Sequence, residues 1–173
     1  MSEMKESWED EYIIPFCEVD TKKAVFLPTL WNLMQETAWH HADHLKVGYS
    51  DLAEQKYFWV LSRLSIQMDE YPGWGEKIKV RTWLTGTRRL FALRDFSIAN
   101  SKGNTLGTAK SAWLVLDLKS RRPQRIEPVF KHLLHLLMIF HPLRSLKNFL
   151  LLSGLKWKSH IRFVIVISIC IIM

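Results

Sequence analysis

Between Leu27 and Gly48 the chain keeps a helical period and then abandons it, and that change restricts the fold more than any other feature. Leu30, Leu33, Met34, Thr37, Ala38 and His41 fall at i, i+3, i+4, i+7, i+8 and i+11, one stripe of an α-helix. Pro28 and Thr29 suit its first turn, His44 and Lys46 its negative C-terminal end, and Gly48 its stop. Trp31 and Trp39 widen the apolar surface past that stripe, which predicts burial on most sides. Afterwards the period falls to two. Segments 57–71, 77–89, 90–101 and 104–118 are rich in strand formers, and Ile78, Val80, Thr82 and Leu84 alternate with Lys77, Lys79 and Arg81. The turn-rich YPGWGE, the break from Gly86 to Arg89, and SKGN separate them. Residues 11–19 read as an earlier strand. One strand, one long helix and four long strands predict an α+β fold, a curved antiparallel sheet wrapped around a central helix.

Charge divides the chain in two. Residues 1–127 carry 18 Lys and Arg against 17 Asp and Glu, whereas residues 128–173 carry 6 basic residues and no acid. Of the net charge of +7, the tail therefore carries +6 and residues 1–127 only +1, so the basicity forms no groove on a folded surface, which argues against a nucleic-acid partner. Cys17 and Cys170 have no metal-ligand spacing and make no disulfide framework, which fits a reducing cytoplasm. The acidic opening MSEMKESWEDE lacks the apolar run of a secretory signal.

The order of elements, with CEVDTKKAVFLPTLWNLMQETAWHHADHL followed by YFWVLSRLSIQMDEYPGWGEKIKVRTWLTGT, resembles the acyl-acyl carrier protein thioesterases. The likeness continues through LRDFSIANSKGNTLGTAKSAWLVLDLKSRRPQRI and covers about residues 10–127. WVLSRLSI, YPGWGEKIKVRTW and SAWLVLDLKSRRP are its most specific pieces. The resemblance implies two hotdog folds in tandem, with catalytic groups in the second. It implies hydrolysis of a fatty acyl thioester of acyl carrier protein, in fatty acid biosynthesis, by water and without a cofactor. It also implies that residues 1–127 are the acyl-binding hotdog domain, and that copies pair through their sheets.

The tail from Pro128 contains no Asp, Glu, Ala, Thr, Tyr or Gln. Its last stretch, HIRFVIVISICIIM, holds 13 residues after His160 and is interrupted by Arg162, against about 20 apolar residues for a membrane span. No membrane span is expected; an exposed β-branched run of this kind is an aggregation hazard. Back-translation suggests another origin. Read from the third base of each codon, Met138 followed by Ile139 forces an Asp codon. From Ser159 to Ile169 the shifted codons permit Ser-Tyr-Pro-Val-Arg-Tyr-Ser-Asp-Leu-Asp, which is similar to the family's second-domain signature. One departure remains, because the codon two residues after the second Asp allows His or Tyr where the family has Asn. The expectation is a frameshift between about Glu127 and Leu137, with an aberrant tail over 128–173 in place of the catalytic domain; a genuine basic, apolar tail is the alternative.

Thioester hydrolysis needs an activated water and dipoles facing an oxyanion. The helix and the loop before it offer Asp20, Asn32, Glu36, His40, His41 and His44, with Glu36 and His40 at i, i+4 as the weak catalytic candidates. Asp20 matches the second Asp of the family signature, but Thr21 to Val25 supply no Asn or His after it, so no catalytic set is expected in this chain. The acyl chain is assigned to Leu33, Met34, Trp39, Trp59 and Trp83, and the acidic carrier to Arg88, Arg89, Arg121 and Arg122, in basic clusters that also include Arg94, Lys119 and Arg125. HHADH has no third ligand and no HExxH pattern, so no metal is expected. Cys17, Ser62 and Ser111 sit in strand-like segments without a nucleophile elbow. Two further readings are a non-catalytic acyl-binding or dimerisation module, and a single-hotdog acyl-CoA thioesterase using Glu36.

Overall fold

The computed structural model describes residues 5–126, together with the backbone of 162–165 and 170–171. The first strand, β1 (Ser7–Ile13), lies earlier than expected, because Pro15 has no amide hydrogen to continue a ladder. Phe16–Glu18 form a 3-10 turn instead, so Cys17 is on an exposed turn and not in a strand. Asp20 closes the next loop: its Oδ1 accepts from the amides of Lys22 at 2.8 Å and Ala24 at 3.0 Å.

Helix α1 (Leu27–His44) starts at the expected place, with Pro28 in its first turn. It stops differently. Lys46, not Gly48, takes the left-handed conformation, with φ 58. Gly48 is needed for closeness instead: a Cβ there would lie 2.9 Å from the Asp43 Cα at the end of α1. That approach lets the chain turn directly into α2 (Tyr49–Glu54), a short helix too brief to register as a period.

Four long strands follow: β2 (Tyr57–Met68), β3 (Lys77–Arg88), β4 (Phe91–Asn100) and β5 (Thr105–Asp117), then a two-residue β6 (Pro123–Gln124). The sheet order is β1-β3-β4-β5-β2, all antiparallel, with β6 beside β5. β3, β4 and β5 pair as consecutive hairpins. β2 passes over its sequence neighbour β3 and pairs with β5, so residues 69–76 carry the chain from one edge to the far side.

The inner face is read from register. Val80 lies across from Ile98, Thr82 from Phe96 and Phe96 from Ala109, all buried. Leu30 and Met34 of α1 are fully buried in this core, and Trp31 stacks on Trp113 of β5 at 6.4 Å between ring centres. At Gly107, β5 lies close against β2. A Cβ there would lie 2.7 Å from the Gln67 carbonyl and closer still to Met68 Sδ. The sheet has three interruptions among the described residues: Leu61/Arg63 in β2 and Leu84/Gly86 in β3, both toward the end where β3 meets β4, and Ile98/Ala99 in β4 toward the other end. Gly86, at φ 146, supplies a conformation other residues rarely adopt.

Two further strands, β7 (Arg162–Ile165) and β8 (Cys170–Ile171), pair antiparallel with Leu64–Gln67 and Val60–Leu61 along the β2 edge. The remaining tail, including the proposed frameshift junction, lies outside the described residues. Among the described residues no helix is long and apolar enough to cross a membrane.

Candidate functional site

A cleft opens between the C-terminal half of α1 and the sheet, enclosing about 730 Å³ with its mouth included. Its helical wall is Gln35, Ala38, Trp39 and Ala42, at i, i+3, i+4 and i+7, the face beside the core stripe. The two alanines make the space. Phe58, Trp59, Leu84, Ala92 and Trp113 form the sheet wall, and Tyr49 and Leu52 of α2 close one side. The Trp59 indole is fixed by donating to the Val47 carbonyl at 2.9 Å, and Trp113 donates to Ser111 Oγ at 2.8 Å. Apart from Arg94, no residue with an ionic side chain lines the cleft among the described residues.

Arg94 departs from its expected surroundings. It is 5% exposed and shares the inner face of β4 with Phe96 and Ile98, so it does not belong with Arg88 and Arg89 on the surface. Its Nη1 donates to His41 Nδ1 and Thr82 Oγ1, both at 3.1 Å. His41 Nε2 faces the Lys5 carbonyl at 3.1 Å, and a carbonyl only accepts, so the ring proton sits on Nε2 and Nδ1 receives the Arg94 bond. Burial, and then the charge of Arg94, hold the His41 pKa down at about 3, which keeps the imidazole neutral. Burial also lowers Arg94 to about 9, so it stays cationic at neutral pH.

The weak catalytic pair lies elsewhere. His40 Nδ1 is 2.8 Å from Asp10 Oδ2 of β1, and its Nε2 is 3.9 Å from Glu36 Oε1. The side chains of Glu36 and His40 are 56% and 36% exposed, and neither lines the cleft. A buried acid and base beside a thioester is therefore not the arrangement seen at this pair. Asn32 is exposed on α1, and Asp20 is engaged in its loop. His44 packs on Trp8 at 5.2 Å between ring centres. Ser111, buried, donates to the Arg94 carbonyl at 3.3 Å, and Ser62 falls at the β2 irregularity. Among the described residues no three His, Cys, Asp or Glu side chains converge as metal ligands.

Of the five residues assigned to the acyl chain, Trp39 and Trp59 line the cleft. Met34 is wholly inside the core and Leu33 is half-buried against it. Trp83 alternates with Thr82 and Leu84 and so lies on the opposite face of β3, across from Ser7. Arg88 and Arg89 occupy the β3–β4 turn, and Arg121 and Arg122 the turn after β5. The register brings both turns to one end of the sheet, the end that carries Phe58, Leu84 and Ala92 of the cleft. Arg121 lies over the Phe58 ring at 5.2 Å. Arg94 was legible as a charge in phase with Phe96 and Ile98; the cleft alanines carried no such signal.

Residues 5–134 match the acyl-ACP thioesterase N-terminal domain. Oleoyl-acyl carrier protein thioesterase 1, chloroplastic, of Arabidopsis thaliana is 28% identical over 129 residues, 69% of this chain and 35% of that protein. A crystal structure of an acyl-ACP thioesterase from Bacteroides thetaiotaomicron is 34% identical, with TM-score 0.67 over 71% of this chain and 51% of that one. The 12:0-ACP thioesterase of Umbellularia californica, 20% identical with TM-score 0.70 over 88% of this chain and 57% of that one, shares the fold. The chain thus spans about a third of the length of the curated relatives it matches. These matches, with a helix wrapped by the sheet order described above, place the chain in the acyl-ACP thioesterase family.

Proposed function

We propose that residues 1–127 hold the fatty acyl chain of an acyl-acyl carrier protein, and that hydrolysis in the complete enzyme belongs to a second hotdog domain. One observation carries this reading: an apolar cleft bounded by Trp39, Trp59 and Trp113 to which no carboxylate is supplied among the described residues. A water cannot be activated there without a base, whereas an alkyl chain gains about 0.8 kcal/mol for each methylene buried. Water serves as the nucleophile's source in the whole enzyme, and no cofactor takes part. Unpaired Cys17 supports a cytoplasmic setting, although the matched plant relatives are chloroplastic by name. Pairing of two copies across β2 would have to displace β7 and β8.

Acyl carrier protein is acidic, and Arg88, Arg89, Arg121 and Arg122 stand at the cleft's end of the sheet as its docking surface. Titration with a lauroyl carrier and with lauroyl-CoA tests this. The carrier-linked chain is expected to bind more tightly at low salt, and changing all four arginines to Ser to remove that advantage, with affinity for the CoA-linked chain kept within threefold. Equal carrier affinity in the two proteins would end the docking assignment.

A shifted reading frame from about Glu127 is the proposed source of the tail. The family match ends at residue 134, inside the interval that back-translation gives for the junction. Genomic sequence across codons 120–173 is expected to restore an acidic, family-like continuation on a single-base change. An uninterrupted frame, matched by the mass of the natural protein, would refute it.

A further inference from the structure

The guanidinium of Arg94 is buried, cationic and without a carboxylate partner among the described residues. Nη1 spends both its hydrogens on His41 and Thr82. Thr82 is already committed, since its hydroxyl donates to the Asp95 carbonyl at 3.0 Å. His41 is kept neutral by burial and by the Arg94 charge, with the Lys5 carbonyl fixing its tautomer, so neither neighbour carries negative charge. The Nε and Nη2 hydrogens, three donors in the planar fork, have no acceptor among the described residues, and Arg94 itself lines the cleft. A buried charge with no counter-ion is costly unless something supplies one. Apart from the uncharged amide of Gln35, the rest of the described wall is apolar or aromatic.

We propose that Arg94 is an anion-binding group inside the cleft, and that the cleft takes an aliphatic monocarboxylate, a free fatty acid, with its head inward on Nε and Nη2. The guanidinium fork matches the two carboxylate oxygens, and the alkyl chain then runs outward past Trp113, Trp59 and Trp39. His41 and Thr82 position the fork by holding Nη1. This assignment rests on the acyl-cleft reading; the free acid is the product of the proposed hydrolysis, but it enters the same cleft head first, opposite to a carrier-linked chain, and so competes with that chain for the space.

The test compares laurate with dodecanol, equal in chain length but different in charge, on the full chain at pH 7 by titration calorimetry. Laurate is expected to bind at least tenfold more tightly, since charge-assisted pairs exceed neutral ones. The advantage is expected to persist at about 0.5 M salt, because a buried pair is little screened while pairing with the rim arginines would fade. In Arg94→Gln the advantage disappears and dodecanol affinity stays, and Arg94→Lys keeps only part of it. Equal binding of laurate and dodecanol by the unaltered chain would overturn the proposal and leave the acyl-cleft reading standing. So would an advantage that vanishes with salt. Binding of neither compound would remove the cleft reading, and this inference with it. The salt series needs no variant, so it decides the matter even if Arg94→Gln does not fold.

Discussion

Replacing Ala42 with Phe is expected to weaken binding of a lauroyl chain by on the order of 100-fold while the fold survives. Ala42 is half-buried and lines the cleft between Trp39 and the sheet, so a ring there enters space the structure leaves open instead of an already packed core. If the ring displaces about four methylenes at about 0.8 kcal/mol each, the loss is about 3 kcal/mol, or two orders of magnitude. Phe is a tolerable residue in a helix, and position 42 is near the end of α1, so backbone cost is small. Titration of both proteins with a fluorescent twelve-carbon acyl probe, with melting temperature followed in parallel, gives the result. Affinities within threefold of each other, in a variant of unchanged stability, would mean that the acyl chain goes elsewhere.

The second large effect concerns pH. The imidazole of His41 is held neutral by burial and by the Arg94 charge, with its pKa down at about 3, whereas in the unfolded chain it titrates near 6.5. Between those values the unfolded state binds a proton that the folded state refuses. Stability from this group is therefore complete above about pH 6.5 and falls as pH drops toward 3, with a slope of up to about 1.4 kcal/mol per unit. His41→Gln keeps a donor for the Lys5 carbonyl and an acceptor for Arg94 but cannot titrate. From pH 6.5 to 5 the unaltered chain is expected to lose about 2 kcal/mol more than the variant, read from denaturant midpoints. The carboxylates common to both proteins cancel in that comparison. Parallel acid limbs would show that His41 is not held neutral in the fold.

How far these features could be read from sequence varies with the distance over which they are determined. Helix α1 and the four long strands follow from local periods, and their ends fall within a few residues of expectation because Pro28, the YPGWGE turn and SKGN act locally. The pairing of β2 with β5 is a contact between distant residues and leaves no local mark. An acyl role for Trp83 runs against phase: its neighbours Thr82 and Leu84 take the inner face, and a strand cannot turn three successive residues the same way. The same rule would have moved Arg94 inward. Reading it with Arg88 and Arg89 put charge ahead of phase. Glu36 and His40 do meet at i, i+4, but only rotation of the helix about its axis decides whether such a pair faces a cavity or the solvent, and that is set by packing on β1 and β3.

The central claim is that this cleft binds and does not hydrolyse. Single-turnover kinetics of lauroyl carrier with excess purified chain tests it most directly, with acyl occupancy measured in the same sample. The expected result is one acyl chain bound per polypeptide, with release of free carrier no faster than in buffer and unchanged by Glu36→Gln or His40→Ala. Release well above the buffer rate, lost in either variant, would contradict the account by putting a working acid and base in this half of the enzyme.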